Sequence, residues 1–242
     1  GSYNTANGDS ALYSNTTASN NSANGSKALY SNITGVANTA MGNRALFANT
    51  TGINNTANGS YALNSNISGD NNTANGFSAL YSNTTGDNNI ATGRYALYNN
   101  TDGLRNTATG NLALFENISG NNNTANGFGA LQDNSYGSNN SANGYQALSF
   151  NFTGNFNVAN GERALYSNRT GSYNTASGIQ SLFSNTNASF NTAAGSGALY
   201  TNTTGASNTA NGVDALRLNA TGNLKSALGH GALYNSTSGG NT

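Results

Sequence analysis

His230 is the only histidine of the 242-residue chain, cysteine is absent, and Lys plus Arg equal Asp plus Glu at 8 each. Acid–base or nucleophilic catalysis needs a histidine, thiolate or carboxylate pair converging on one pocket, and His230 has no paired carboxylate near it in sequence. No enzyme activity, cofactor or resident metal is therefore expected. Asp70 and Asp87 stand seventeen residues apart and could stack as a weak acidic pair, but the G-G-x-G-x-D calcium nonapeptide is missing. Asn15, Asn32, Asn49, Asn66, Asn83, Asn117, Asn151, Asn168, Asn202 and Asn219 each precede x-Thr or x-Ser, the glycosylation signal. With 7% charged residues and no net charge, no field exists to attract nucleic acid or anionic lipid. No apolar run approaches the ~18 residues of a membrane helix, so no membrane insertion is expected within this segment.

The spacing of these residues leads to the element that positions them. A seventeen-residue unit, cleanest as N-T-A-N-G-F-S-A-L-Y-S-N-T-T-G-D-N from Asn72 to Asn88, recurs without insertion or deletion from Asn4 onward in fourteen copies. Such periodicity predicts a solenoid whose copies stack as rungs. Ala at position 3 (Ala6 to Ala227), Gly at position 5 (Gly8 to Gly229) and Leu at position 9 (Leu12 to Leu233) occur in every copy. Positions 1 and 12 are Asn except in the last copy, which carries Lys225 and Ser236. Recurrent Gly, abundant Asn and Thr, no Pro and no 3.6-residue apolar period exclude a helical array.

The expected fold is all-β, a parallel β-solenoid (β-roll) of fourteen 17-residue coils, forming a single array over residues 1–242 and a section of a longer fibrous protein. Short strands T-A-N and A-L-Y-S are expected, with corners at the Gly of positions 5 and 15 needing φ > 0 or close backbone approach. Alternation along a strand predicts that the Ala of position 3 and the Leu of position 9 point inside, with the Ala of position 8 and the aromatic of position 10 outside. The Asn of position 12 reads as an internal amide ladder, which turns the glycosylation signals inward.

Two outward stripes are left to carry function. The first is Tyr13, Tyr30, Phe47, Tyr81, Tyr98, Phe115, Tyr166, Phe183, Tyr200 and Tyr234 at position 10, interrupted by Asn64, Gln132, Ser149 and Arg217. An apolar row of this length reads as a self-association surface, with rings folded over the coil's own corner or a sugar-stacking platform as alternatives. The second is the Thr-x-Asn pair at positions 2 and 4: Thr5/Asn7, Thr56/Asn58, Thr73/Asn75, Thr124/Asn126 and Thr209/Asn211. This ladder resembles the ice-binding faces of some antifreeze proteins; a solvated polar face is the plainer reading.

The pattern N-T-A-N-G-x-x-A-L resembles the head repeats of YadA-like trimeric autotransporter adhesins, with Ala74, Gly76 and Ala79 matching in the best copy. It is also similar to N-T-A-x-G-x-x-A-L-x-x-N-T-T-G arrays of bacterial surface and phage tail-fibre proteins. The resemblance implies a β-roll, a homo-oligomer (trimer or filament), a host-surface or glycan ligand, and an extracellular, cell-surface or virion-fibre location. The period of seventeen is longer than the adhesin repeat, and Asn stands before Gly where the adhesins carry an aliphatic residue. The expectation is an extracellular fibre or stalk with an adhesive role; the alternative is an ice-binding protein.

Overall fold

The structure is a computed structural model that describes residues 1–237. The chain divides into two compact units, Gly1–Asn122 and a second beginning at Asn123. Each unit is a stretch of parallel β-solenoid, and no helix occurs among the described residues. The first unit carries seven three-residue strands, from Thr5–Asn7 to Thr107–Thr109, and the second seven more, from Thr124–Asn126 to Ser226–Leu228. All lie at repeat positions 2 to 4. Pairing is in register at the period of the sequence: Thr56 faces Thr73, Ala57 faces Ala74 and Asn58 faces Asn75 in the first unit, as Thr175, Ala176 and Ser177 face Thr192, Ala193 and Ala194 in the second. The middle Ala points inward and its neighbours outward, so Ala57, Ala74, Ala176 and Ala193 are fully buried.

A-L-Y-S is not a second strand. In every copy the Leu of position 9 lies in the left-handed region, with φ near +50°. Bulky residues reach that region at a cost of ~1–2 kcal/mol. Two things hold them there. The Leu side chain fills the interior, and its N–H donates to the position-8 carbonyl of the next copy, as Leu63 does to Ala79 at 3.0 Å. The Ala of position 8 therefore does not point outward as alternation predicts. Ala28, Ala45, Ala62 and Ala79 are fully buried beside the leucines, because a turn does not obey the two-residue period of a strand.

The two recurrent glycines answer to different demands. Gly76, at position 5, has φ +142°, and a Cβ there would lie 2.6 Å from the Gly93 carbonyl oxygen one copy on. Among the described residues position 15 has no positive φ; Gly86 is wanted because a Cβ would meet Asn83 Oδ1 and the Gly103 carbonyl oxygen at 2.5 Å each. Only the close approach predicted for that corner is found, and Ala18 and Ala188 occupy it in two copies.

Candidate functional site

The interior is polar as well as apolar, and its polar part is built from two asparagine columns. In the position-12 column, Asn83 Nδ2 donates to Asn66 Oδ1 one copy back (2.8 Å) and to the Gly86 carbonyl of its own copy (2.9 Å). Asn49, Asn66, Asn100 and Asn151 repeat this pair of bonds. In the position-1 column the Asn72 backbone N–H donates to Asn55 Oδ1 (2.9 Å), while Asn72 Nδ2 donates to the Gly86 carbonyl (2.7 Å). The position-15 carbonyl thus receives both amides and locks the two columns together. Among the described residues, no buried side-chain nitrogen or oxygen lacks a partner, as a low-dielectric interior requires. The position-1 ladder has the same sequence signature as position 12, Asn in all copies but the last, yet sequence reasoning assigned a ladder role only to position 12. Of the ten glycosylation signals, nine have their Asn fully buried and Asn15 is half-buried.

The last copy replaces both asparagines together. Lys225 is fully buried, and its Nζ donates to Ser236 Oγ (2.7 Å) and to the Ser236 carbonyl (3.2 Å). Burial pushes the Lys225 pKa below its ordinary value.

Asp70 and Asp87 have a structural task. Asp70 Oδ1 accepts the Ile53 N–H and Asp87 Oδ1 accepts the Asp70 N–H, each at 2.8 Å. Asn121, Asn155 and Ser189 serve the same position in other copies. No trio of His, Asp and Glu side chains converges on a metal-sized centre among the described residues, and His230 is exposed.

The aromatic stripe of position 10 is broken into stacked triplets. Tyr13, Tyr30 and Phe47 lie at centroid distances of 5.0 and 5.3 Å; Tyr81, Tyr98 and Phe115 at 5.1 and 5.3 Å; Tyr166, Phe183 and Tyr200 at 5.2 and 5.1 Å. Planes within a triplet differ by at most 16°. The faces are spent on neighbouring copies, so most of these rings are half-buried, while Tyr13 and Tyr234 are exposed. Guanidinium groups cover three triplet ends, Arg44 over Phe47 at 5.3 Å, Arg163 over Tyr166 at 5.7 Å and Arg217 over Tyr200 at 4.7 Å. Arg217 also pairs with Asp214. Tyr98, at the centre of its triplet, has its pKa raised by burial and then by Tyr81 and Tyr95.

A second aromatic column escaped the sequence reading. Phe156, Tyr173 and Phe190 at position 17 stack at 5.0 and 5.2 Å and are about half exposed. Three successive copies with a ring immediately before the repeat's first Asn were the available signal. The Thr-x-Asn ladder lies where predicted: Thr5, Asn7, Thr56, Asn58, Thr73, Asn75, Thr124, Asn126, Thr209 and Asn211 are all exposed on the strand face. Met41, Ile90 and Leu228 interrupt that face with exposed apolar side chains.

No family model matches the chain, and no curated protein matches it. No helix among the described residues is long and apolar enough to cross a membrane.

Proposed function

We propose that the chain builds an extracellular structural fibre or stalk that self-associates and carries an adhesive role. One observation carries this reading: within each unit the interior hydrogen bonds run from copy to copy, or within a copy, at one repeated geometry. Such a chain gains stability by adding copies, the economy of a spacer. The N-T-A-N-G-x-x-A-L likeness to adhesin head repeats supports the same conclusion. Self-association is favoured by zero net charge, which leaves no long-range repulsion between chains, and by half-exposed stacked rings along the position-10 and position-17 columns. Sedimentation velocity over a concentration series, with electron microscopy of the same samples, tests it. Trimers or filaments are expected, and a strictly monomeric particle at all concentrations contradicts self-association.

A second reading, ice binding, is favoured by the register-matched, exposed Thr56/Asn58 and Thr73/Asn75 pairs. Thermal hysteresis decides it. Ice shaping at micromolar protein supports ice binding, and its failure leaves the fibre reading alone.

A further inference from the structure

In an array the repeated letters build the coil, so an aromatic or cationic residue that occurs once in its column carries information the coil does not need. Column 11 is Ser, Ala, Asn, Glu, Asp, Thr or Leu apart from Phe150; column 13 is Thr, Ile, Ser or Ala apart from Phe152 and Arg169. All three exceptions fall in two consecutive copies of the second unit. They also meet in space. Asp133, Phe150, Phe152, Arg169 and Thr170 line one recess of about 360 Å³, and two adjoining recesses share Arg169 and add Thr186 and Asn187. The surface is a shallow trough crossing four copies, three rung steps of ~4.8 Å each.

The chemistry of the trough is mixed in a particular way. Asn151, between the two phenylalanines, points inward and is fully buried, which turns Phe150 and Phe152 outward side by side, 42% and 51% exposed. Each ring is braced edge-on by another, Phe150 by Tyr166 at 4.9 Å and Phe152 by Tyr136 at 5.8 Å. Braced, outward rings are a preorganised apolar platform. Beside them the exposed Arg169 guanidinium makes no ion pair and no side-chain hydrogen bond among the described residues. Thr170, Thr186 and Asn187 bring hydroxyl and amide groups, and Asp133 a carboxylate.

We infer that this trough binds a carboxylated glycan: pyranose C–H faces on Phe150 and Phe152, a uronate or sialate carboxylate on Arg169, and sugar hydroxyls along the Thr, Asn and Asp rim. A planar guanidinium offers a bidentate match to a carboxylate. A nucleic-acid strand fits less well, because its affinity comes from several phosphates held by a basic field, and this chain has none. Glycan binding here rests on the adhesive part of the fibre reading, and its failure leaves copy stacking and self-association untouched.

The test is calorimetric titration of the intact chain with galacturonate, glucuronate and sialate oligosaccharides, each beside its carboxyl-reduced form. At least one acid form is expected to bind about tenfold or more tightly than its reduced form, the weight of one charged hydrogen-bond pair. Arg169→Gln is expected to remove that preference, Phe152→Ala to weaken both forms, and Arg105→Gln, an exposed arginine of the first unit, to change nothing. Circular dichroism identical to wild type shows that the variants are folded. No binding by any member at millimolar ligand, or an acid preference that survives Arg169→Gln, overturns the assignment.

Discussion

Asn83 Nδ2 lies 2.8 Å from Asn66 Oδ1, and Asn83 Oδ1 accepts Asn100 Nδ2 at the same distance, so one fully buried amide ties three successive copies. Removing it leaves a buried acceptor on one side and a donor short of a partner on the other. Asn83→Ala is expected to cost about 2–4 kcal/mol, at ~1–3 kcal/mol per orphaned group. Asn83→Asp should cost more at neutral pH and recover part of the loss on acidification, because the oxygen that replaces Nδ2 faces two acceptors, Asn66 Oδ1 and the Gly86 carbonyl, and a buried carboxyl so placed is favoured in its protonated, donating form. Urea midpoints at neutral and acid pH measure both; an Asn83→Ala midpoint equal to wild type contradicts the ladder.

The two glycine columns predict an asymmetry. Gly76→Ala forces a side chain into φ +142° and against the Gly93 backbone, whereas Gly86→Ala meets crowding that two natural copies, with Ala18 and Ala188, accommodate. Gly76→Ala should cost the larger share of stability, by roughly 1–3 kcal/mol, the usual toll of a strained backbone region. Thermal unfolding of the two variants side by side gives the order directly.

Alkaline pH should loosen the middle triplet. The Tyr98 pKa in the fold is raised above the ordinary 10.0, so the folded state keeps its proton after the unfolded state has lost it. The contribution is intact below pH 10 and is lost as pH climbs through the raised value. Tyr98→Phe should flatten this loss while keeping the stack with Tyr81 and Phe115, and Tyr98→Ala should cost roughly 1–3 kcal/mol for two ring pairs. Stability curves from pH 8 to 11 for the three proteins check both points; these pH limits lie roughly a unit or two either side of the phenol value.

Lys225 has the opposite sign. Its folded pKa lies below the ordinary 10.5, so the unfolded state binds more protons, and stability of the last described coil rises as pH approaches 10.5. The Thr209 amide, which donates to the Lys225 carbonyl at 2.7 Å, is the local reporter. Its hydrogen-exchange protection should increase with pH relative to Lys225→Met, in which the difference disappears.

Repetition made much of this fold legible. A residue type fixed across thirteen or all fourteen copies announces a structural column, as the Ala of position 3, the Gly of position 5, the Leu of position 9 and the Asn of position 12 do. The failures arise where local rules and interior volume disagree. Left-handed backbone ordinarily selects Gly or Asn, yet this repeat places Leu there because a larger side chain is needed inside, and that choice disguises a turn as a strand and hides the inward Ala28 and Ala62. Asp70 and Asp87 looked like a charge pair because their column varies among Ser, Asp, Asn and apolar residues, so its hydrogen-bonding task has no single letter. The groove at Arg169 was illegible for the converse reason: its residues are exceptions, and a column reading averages exceptions away.

If the copies are interchangeable rungs, excising one whole copy is the most direct test. Deleting residues 72–88 removes one seventeen-residue period and joins Asn71 to Asn89, preserving every column, whereas deleting residues 72–87 shifts every later column by one. Thermal unfolding should show the first protein folding cooperatively with a midpoint within a few degrees of wild type, about the shift a 1 kcal/mol change produces, and the second losing its ladder downstream. Equal tolerance of both deletions, or collapse on removal of one complete copy, would contradict a fold and function built by repetition.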